Sequence, residues 1–135
     1  MSKSLKGYVS SRSIANQIVP QSIQNSLLRN YCKENNFKYV LSATEYSPEN
    51  SFLMLEKTLN EIELYDGIIA YSIYQLPKSH NYRNFILKKI VRKKKLFCFV
   101  LEKTIIKNIS GIESLNQILK INELLPYCLK KIKNG

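Results

Sequence analysis

The chain has 135 residues, of which 44% are hydrophobic and 23% charged, with four glycines and four prolines. That length suits a single domain, and that composition excludes collagenous, low-complexity and disulfide-stapled classes. Lys and Arg outnumber Asp and Glu by 21 to 10, giving a net charge of +11, which points towards a polyanion partner through counterion release. Seventeen of the basic residues are Lys and only four are Arg, a bias that an AT-rich coding sequence also produces.

Strand and helix signals alternate along the chain, the pattern of βα units around a mostly parallel sheet. Leu5 to Ser10 reads as the first strand. Pro20 suits a first helical position, and Ile23, Leu27 and Tyr31 recur at a spacing of four, predicting an amphipathic helix over 20–34 with those residues inward. Phe37 to Leu41 is the second strand. Ser47-Pro48 then gives a cap and a first-turn proline for a helix whose apolar stripe is Phe52, Leu55, Leu59 and Ile62. Gly67 to Tyr71, apolar on both faces, suits a central buried strand. Ser79 caps a third helix running to about Arg92, with Leu87, Ile90 and Val91 inward and His80 on the surface, and Leu96 to Leu101 is the fourth strand. Beyond Glu102, Thr104 to Lys107 reads as an edge strand, and Ile112 to Leu125 as a helix that Pro126 interrupts. The expectation is one α/β domain over 1–135, with core βα units in 1–102 and an edge strand and helix in 103–135. Its sheet of four to five strands should have the resolvase- or flavodoxin-like order 2-1-3-4(-5), in three layers.

Met1 to Gly7 lacks the apolar stretch of a signal peptide, and the apolar runs are far shorter than the roughly 20 residues of a spanning helix. A cytoplasmic protein with no membrane span is expected. Cys32, Cys98 and Cys128 show no CxxC spacing, so reduced, buried thiols are expected rather than a disulfide or a metal site. Phosphate-cradle, nucleophile-elbow and zinc-helix motifs are missing, and the single histidine leaves little from which to build a triad or metal site. No cofactor or metal is predicted.

In open parallel sheets ligands bind beyond the carboxyl ends of the strands. Here those ends carry Ser10, Ser11 and Arg12, then Ser42, Thr44, Glu45 and Tyr46, then Ser72 and Gln75, then Glu102, with Gln21 and Gln24 in the first turns of the first helix. These twelve are the candidate ligand-binding residues. Arg12 offers a fork for an anion and Glu45 a general base, so these two are the candidate catalytic groups. Each also has a structural reading: Glu45 as a partner for a helix dipole, Glu102 as an ion-pair partner of Arg12 or a lysine. Arg12, Glu45 and Ser72 are expected to border one pocket. The cluster Lys88, Lys89, Arg92, Lys93, Lys94 and Lys95 sits at a helix end, where cations offset the dipole or meet a polyanion.

Gly7-Tyr8-Val9-Ser10-Ser11-Arg12, the Tyr31-Cys32 helix and the Asp66 to Leu76 stretch resemble the serine-recombinase (resolvase) catalytic domain. In that correspondence the family's arginine falls on Ser10, its nucleophilic serine on Arg12 and its Asp-Arg pair on Tyr74-Gln75. The resemblance therefore implies the fold without the arginine cluster that stabilises phosphoryl transfer, and no covalent link from Ser10 or Ser11 to DNA. The strings Gly7 to Arg12, Val19-Pro20-Gln21, Leu41 to Tyr46 and Gln75-Leu76-Pro77 also resemble the sporadic carbohydrate-cluster family. That resemblance implies a role in surface-polysaccharide or sugar biosynthesis, with a sugar, sugar phosphate or nucleotide sugar as ligand and an enzyme somewhat favoured over a binding subunit. The alternatives are an inactive recombinase-fold protein that binds nucleic acid, and a scaffold that forms a homo-oligomer through its final helix.

Overall fold

The computed structural model describes residues 2–46 and 51–134, with 126–134 described for the backbone alone. Five strands form one sheet: β1 (Ser4–Ser10), β2 (Lys38–Glu45), β3 (Gly67–Ala70), β4 (Leu96–Phe99) and β5 (Thr104–Ile106). Their order is β2-β1-β3-β4-β5, parallel except for the antiparallel edge strand β5. This is the predicted resolvase-like order. Four helices pack on it: α1 (Gln21–Glu34), α2 (Leu53–Asn60), α3 (His80–Arg92) and α4 (Ile109–Asn134).

The strand sequences divide between two cores because successive side chains point to opposite faces. Leu5 and Val9 of β1, Ile69 of β3 and Cys98 of β4 meet Leu28 and Cys32 of α1. Tyr8, Ile68, Ala70, Phe97 and Phe99 point the other way, onto Leu55 and Leu59 of α2, Ile86, Leu87 and Ile90 of α3, and Ile112 and Leu115 of α4. One helix thus covers one face and three cover the other. Gly7 keeps β1 close to β2, since a Cβ there would collide with the Tyr39 ring and the Ser42 side chain. Burial in these cores raises the thiols, Cys32 to about 11 and Cys98 to about 12.

Two helix expectations change, and one lies outside the described residues. The buried face of α1 is Gln24, Leu28 and Cys32, while Ile23 and Leu27 are exposed, so the helix is rotated by one residue from its apolar repeat. The reason is Gln24, whose hydrogen bonds below make a polar residue the better one to bury. The Ser47-Pro48 start lies outside the described residues; α2 begins at Leu53, and its stripe of Leu55 and Leu59 turns inward as expected, with Ile62 in the 3-10 turn that follows. The final helix does not stop at Pro126 but continues to Asn134. A proline costs one amide donor, and at Asn122, four residues earlier, the helix is exposed, so the carbonyl that loses its partner is open to solvent. At the end of α3, Lys95 N–H reaches Ile90 O at 3.0 Å and Lys94 N–H reaches Val91 O at 3.0 Å. That pattern closes the helix with Lys94 in the left-handed region at φ 59°.

Candidate functional site

Beyond the end of β3 the parallel ladder leaves β1 with unpaired backbone groups. Ser11 N–H donates to Glu45 O at 3.1 Å on the β2 side, so the amide and carbonyl of Ser10 point to the opposite side. The Gln24 carboxamide fills that side, accepting from Ser10 N–H at 3.0 Å and donating to Ser10 O at 2.8 Å. Gln75 extends the chain of bonds by donating to Ser10 Oγ at 3.1 Å and to Tyr8 O at 3.3 Å, while its oxygen accepts from Ser72 N–H at 3.0 Å. Ser72 Oγ donates to Glu102 at 2.7 Å, and the other Glu102 oxygen accepts from Ile73 N–H at 2.9 Å. One network therefore joins α1, β1, the turn after β3 and the segment after β4.

A second group lies on the β2 side. Glu45, 1% exposed, accepts from the amides of Met54 and Leu55 at 3.0 and 3.3 Å and from the Tyr8 hydroxyl at 3.2 Å. Its carboxylate thus closes the first turn of α2, where a negative charge meets the positive end of the helix. Burial, and then the Glu45 charge, push the Tyr8 phenol far above its ordinary value. Ser42 and Tyr39 both donate to Asn25 of α1, at 2.9 and 2.7 Å.

Above these networks is a cleft of about 500 Å³ between the loop after β1, the turn after β3 and α4. Arg12 lines it, its guanidinium 4.4 Å from the Phe52 ring centre and one nitrogen 2.6 Å from Ser51 O. Ser13 and a two-residue turn, Ala15 and Asn16, form one wall. Both turn residues have positive φ, 50° and 66°, between the paired Ile14 and Gln17, the geometry of a tight hairpin. Arg83, 7% exposed, ties α3 to α4 by donating to Asn116 at 2.9 Å, and it also bonds the carbonyls of Pro77 and Lys78. Burial lowers its guanidinium pKa.

Of the twelve candidate residues, Arg12 and Gln75 line this cleft. Ser10, Gln24, Glu45 and Ser72 are buried beneath the surface in the networks just described. Arg12, Glu45 and Ser72 therefore do not border one pocket: Arg12 reaches it, and the other two turn into the fold. Ser11, Gln21, Ser42, Thr44 and Glu102 are half-buried, and Tyr46 is exposed beyond β2. Among the described residues no group of His, Cys, Asp and Glu has the arrangement of a metal site.

A further concave surface is on the outer face of α3, a hollow of about 540 Å³ lined by Asn81, Asn84, Phe85, Lys88, Lys89, Arg92 and Lys93. Lys93 pairs with Glu63 at 2.9 Å, and Lys89 lies 3.4 Å from Asn60. Phe85 was not among the residues the sequence singled out, although a signal was present. It stands at the spacing of the polar stripe, four residues after Asn81 and three before Lys88, rather than on the apolar one.

No family model matches the chain, and no curated protein does. Several solved structures share its fold. The N-terminal catalytic domain of TP901-1 integrase superposes with a TM-score of 0.64 at 19% identity, over 91% of this chain and 98% of that one. A resolvase family site-specific recombinase from Streptococcus pneumoniae gives 0.62 at 11% identity, over 96% and 99%. The chain thus has the fold of serine-recombinase catalytic domains. This corrects the expectation of a sugar-binding protein of surface-polysaccharide synthesis, since the fold relatives are recombinase domains and the carbohydrate-cluster resemblance finds no support. Physically, Ser10, Gln24, Glu45, Ser72, Gln75 and Glu102, half of the rim groups assigned to a sugar, are occupied by partners inside the fold. Among the described residues no helix is long and apolar enough to cross a membrane.

Proposed function

We propose that this chain is a cytoplasmic nucleic-acid-binding protein built on the recombinase catalytic fold, without strand-exchange chemistry of its own. The observation that carries this reading is the outer face of α3, where Lys88, Lys89, Arg92 and Lys93 surround one hollow on a protein of net charge +11. Such a stripe attracts phosphates by releasing their counterions. The loss of strand exchange is supported at the rim. Ser10 is buried with its hydroxyl accepting from Gln75, the Ser11 hydroxyl donates to Glu45 O, and uncharged Tyr74-Gln75 stands where the family has Asp-Arg. The final helix supports a homo-oligomer: Ile118, Ile121 and Leu125 are 40%, 60% and 49% exposed at the three-and-four spacing of a helix seam.

Fluorescence anisotropy with labelled nucleic acid over a salt titration tests the reading. Binding should weaken linearly in log–log form as salt rises, and Lys88→Glu with Arg92→Glu should weaken it at least roughly tenfold without changing the melting temperature. Salt-independent binding, or binding that the double variant leaves intact, would overturn the reading. So would a covalent adduct at Ser10, Ser11 or Ser13 on supercoiled plasmid, for the part that denies strand exchange.

A further inference from the structure

The hollow on α3 combines features that phosphate binding alone does not require. Phe85 is 64% exposed on a helix whose inward positions are filled by Arg83, Ile86, Leu87 and Ile90. An aromatic ring left in water forgoes the burial that would stabilise it, and this one stands among polar and cationic neighbours. Lys88 and Arg92 follow it on the same stripe, one turn apart, about 6 Å along the axis. All four cations line the hollow, and Lys93 and Lys89 already have partners in Glu63 and Asn60, so Lys88 and Arg92 are the two not engaged with a described side chain. The Asn84 amide is engaged with His80 and accepts from Asn116 at 2.7 Å, which leaves Asn81 as the amide at the head of the hollow.

We infer that this hollow receives an unpaired base of a single-stranded nucleic acid, stacked on Phe85, with the adjoining phosphates on Lys88 and Arg92 and the base edge at Asn81. The inference rests on the nucleic-acid reading and narrows it to single strands. An aromatic platform flanked by cations is what sequence-tolerant single-strand binding needs, because every base has a stacking face. A base inside a duplex has both faces covered by its neighbours, so to stack on Phe85 it must leave its own stack, which is costly in a duplex and cheap in a single strand.

The test measures affinity for poly-deoxythymidine and poly-uridine oligomers, for an abasic oligomer of the same length, and for a duplex, with the wild-type chain, Phe85→Ala, Phe85→Trp and Lys88→Gln/Arg92→Gln. Phe85→Ala should weaken binding to the base-bearing single strands roughly 5- to 150-fold while changing abasic and duplex binding by less than about twofold. Phe85→Trp should preserve single-strand affinity. Lys88→Gln/Arg92→Gln should weaken binding to every probe and reduce the single-strand salt slope by about 0.7 per cation. Phe85 is exposed, and an unchanged melting curve for Phe85→Ala verifies its fold. If all probes bind with salt dependence but Phe85→Ala leaves the single-strand affinity intact, base stacking is overturned and the broader reading stands. If no probe binds, both fall. Equal loss on abasic and base-bearing strands also overturns stacking.

Discussion

At the carboxyl ends of the strands, Gln24, Ser10, Gln75, Ser72 and Glu102 pass hydrogen bonds from one to the next, and among the described residues no buried side-chain donor or acceptor lacks a partner. On the outer face of α3, Lys88 and Arg92 stand in solvent around an exposed ring. Both regions are polar, and both follow from the same βα unit architecture. The rim is polar because the backbone at the ends of a sheet must be satisfied, whereas the α3 face is polar because nothing covers it. A cluster of polar side chains is therefore a candidate for binding only after its internal partners have been counted.

Substitution should separate the two regions most sharply. Gln75→Leu removes three hydrogen bonds in the interior, from the Ser72 amide and to the Tyr8 carbonyl and the Ser10 hydroxyl. It should lower stability by about 3 kcal/mol in urea denaturation. The single change Lys88→Gln, by contrast, should stay within about 0.5 kcal/mol. A rim variant as mild as the lysine variant would erase the contrast.

Alkaline pH should give the next largest effect. Tyr8 beneath the rim and Cys98 in the α1-side core both have folded-state pKa values raised by burial, the thiol from 9.0 to about 12. The folded state then holds protons that the unfolded chain releases. Their contribution is intact below the ordinary value of each group, about 9 for the thiol and 10 for the phenol, and is lost as pH rises through the folded value. Melting temperature should fall steadily from about pH 9 upward, by a stability loss on the order of 2 kcal/mol. Cys98→Ala should flatten the part of that slope due to the thiol, and an unchanged slope would show that this thiol is not shielded.

The smallest effect compares one strained residue in each region. Ala15, at φ 50° in the rim hairpin, and Lys94, at φ 59° closing α3, hold a conformation that glycine adopts without steric cost. Ala15→Gly and Lys94→Gly should each raise stability by about 0.5–1 kcal/mol, read from denaturation midpoints. Lys94→Gly should also leave single-strand affinity nearly unchanged, since Lys94 lies outside the hollow; a large loss would extend the binding face to the helix end.

The sequence by itself determined the order of elements, the central buried strand at Gly67–Ala70, the Ser79 cap of α3, whose hydroxyl accepts from Tyr82 N–H at 3.3 Å, and the resolvase-like strand order. The elements, the buried strand and the cap follow from local periodicity and capping chemistry, which act over short stretches of chain, and the strand order from the resemblance to the resolvase fold. Only the tertiary structure decided which face of α1 is buried, because Gln24 finds its partners on β1 rather than on its own helix. It likewise decided that Glu45 closes α2 and that Gln75 joins Ser10 to Ser72. The separations along the chain are nine or ten residues from Glu45 to its α2 amides and 65 from Gln75 to Ser10, and a side chain's composition does not reveal which distant backbone group will claim it. Phe85 was hidden for the opposite reason: a hydrophobic residue reads as core until the helix is packed and its other face is seen to be full.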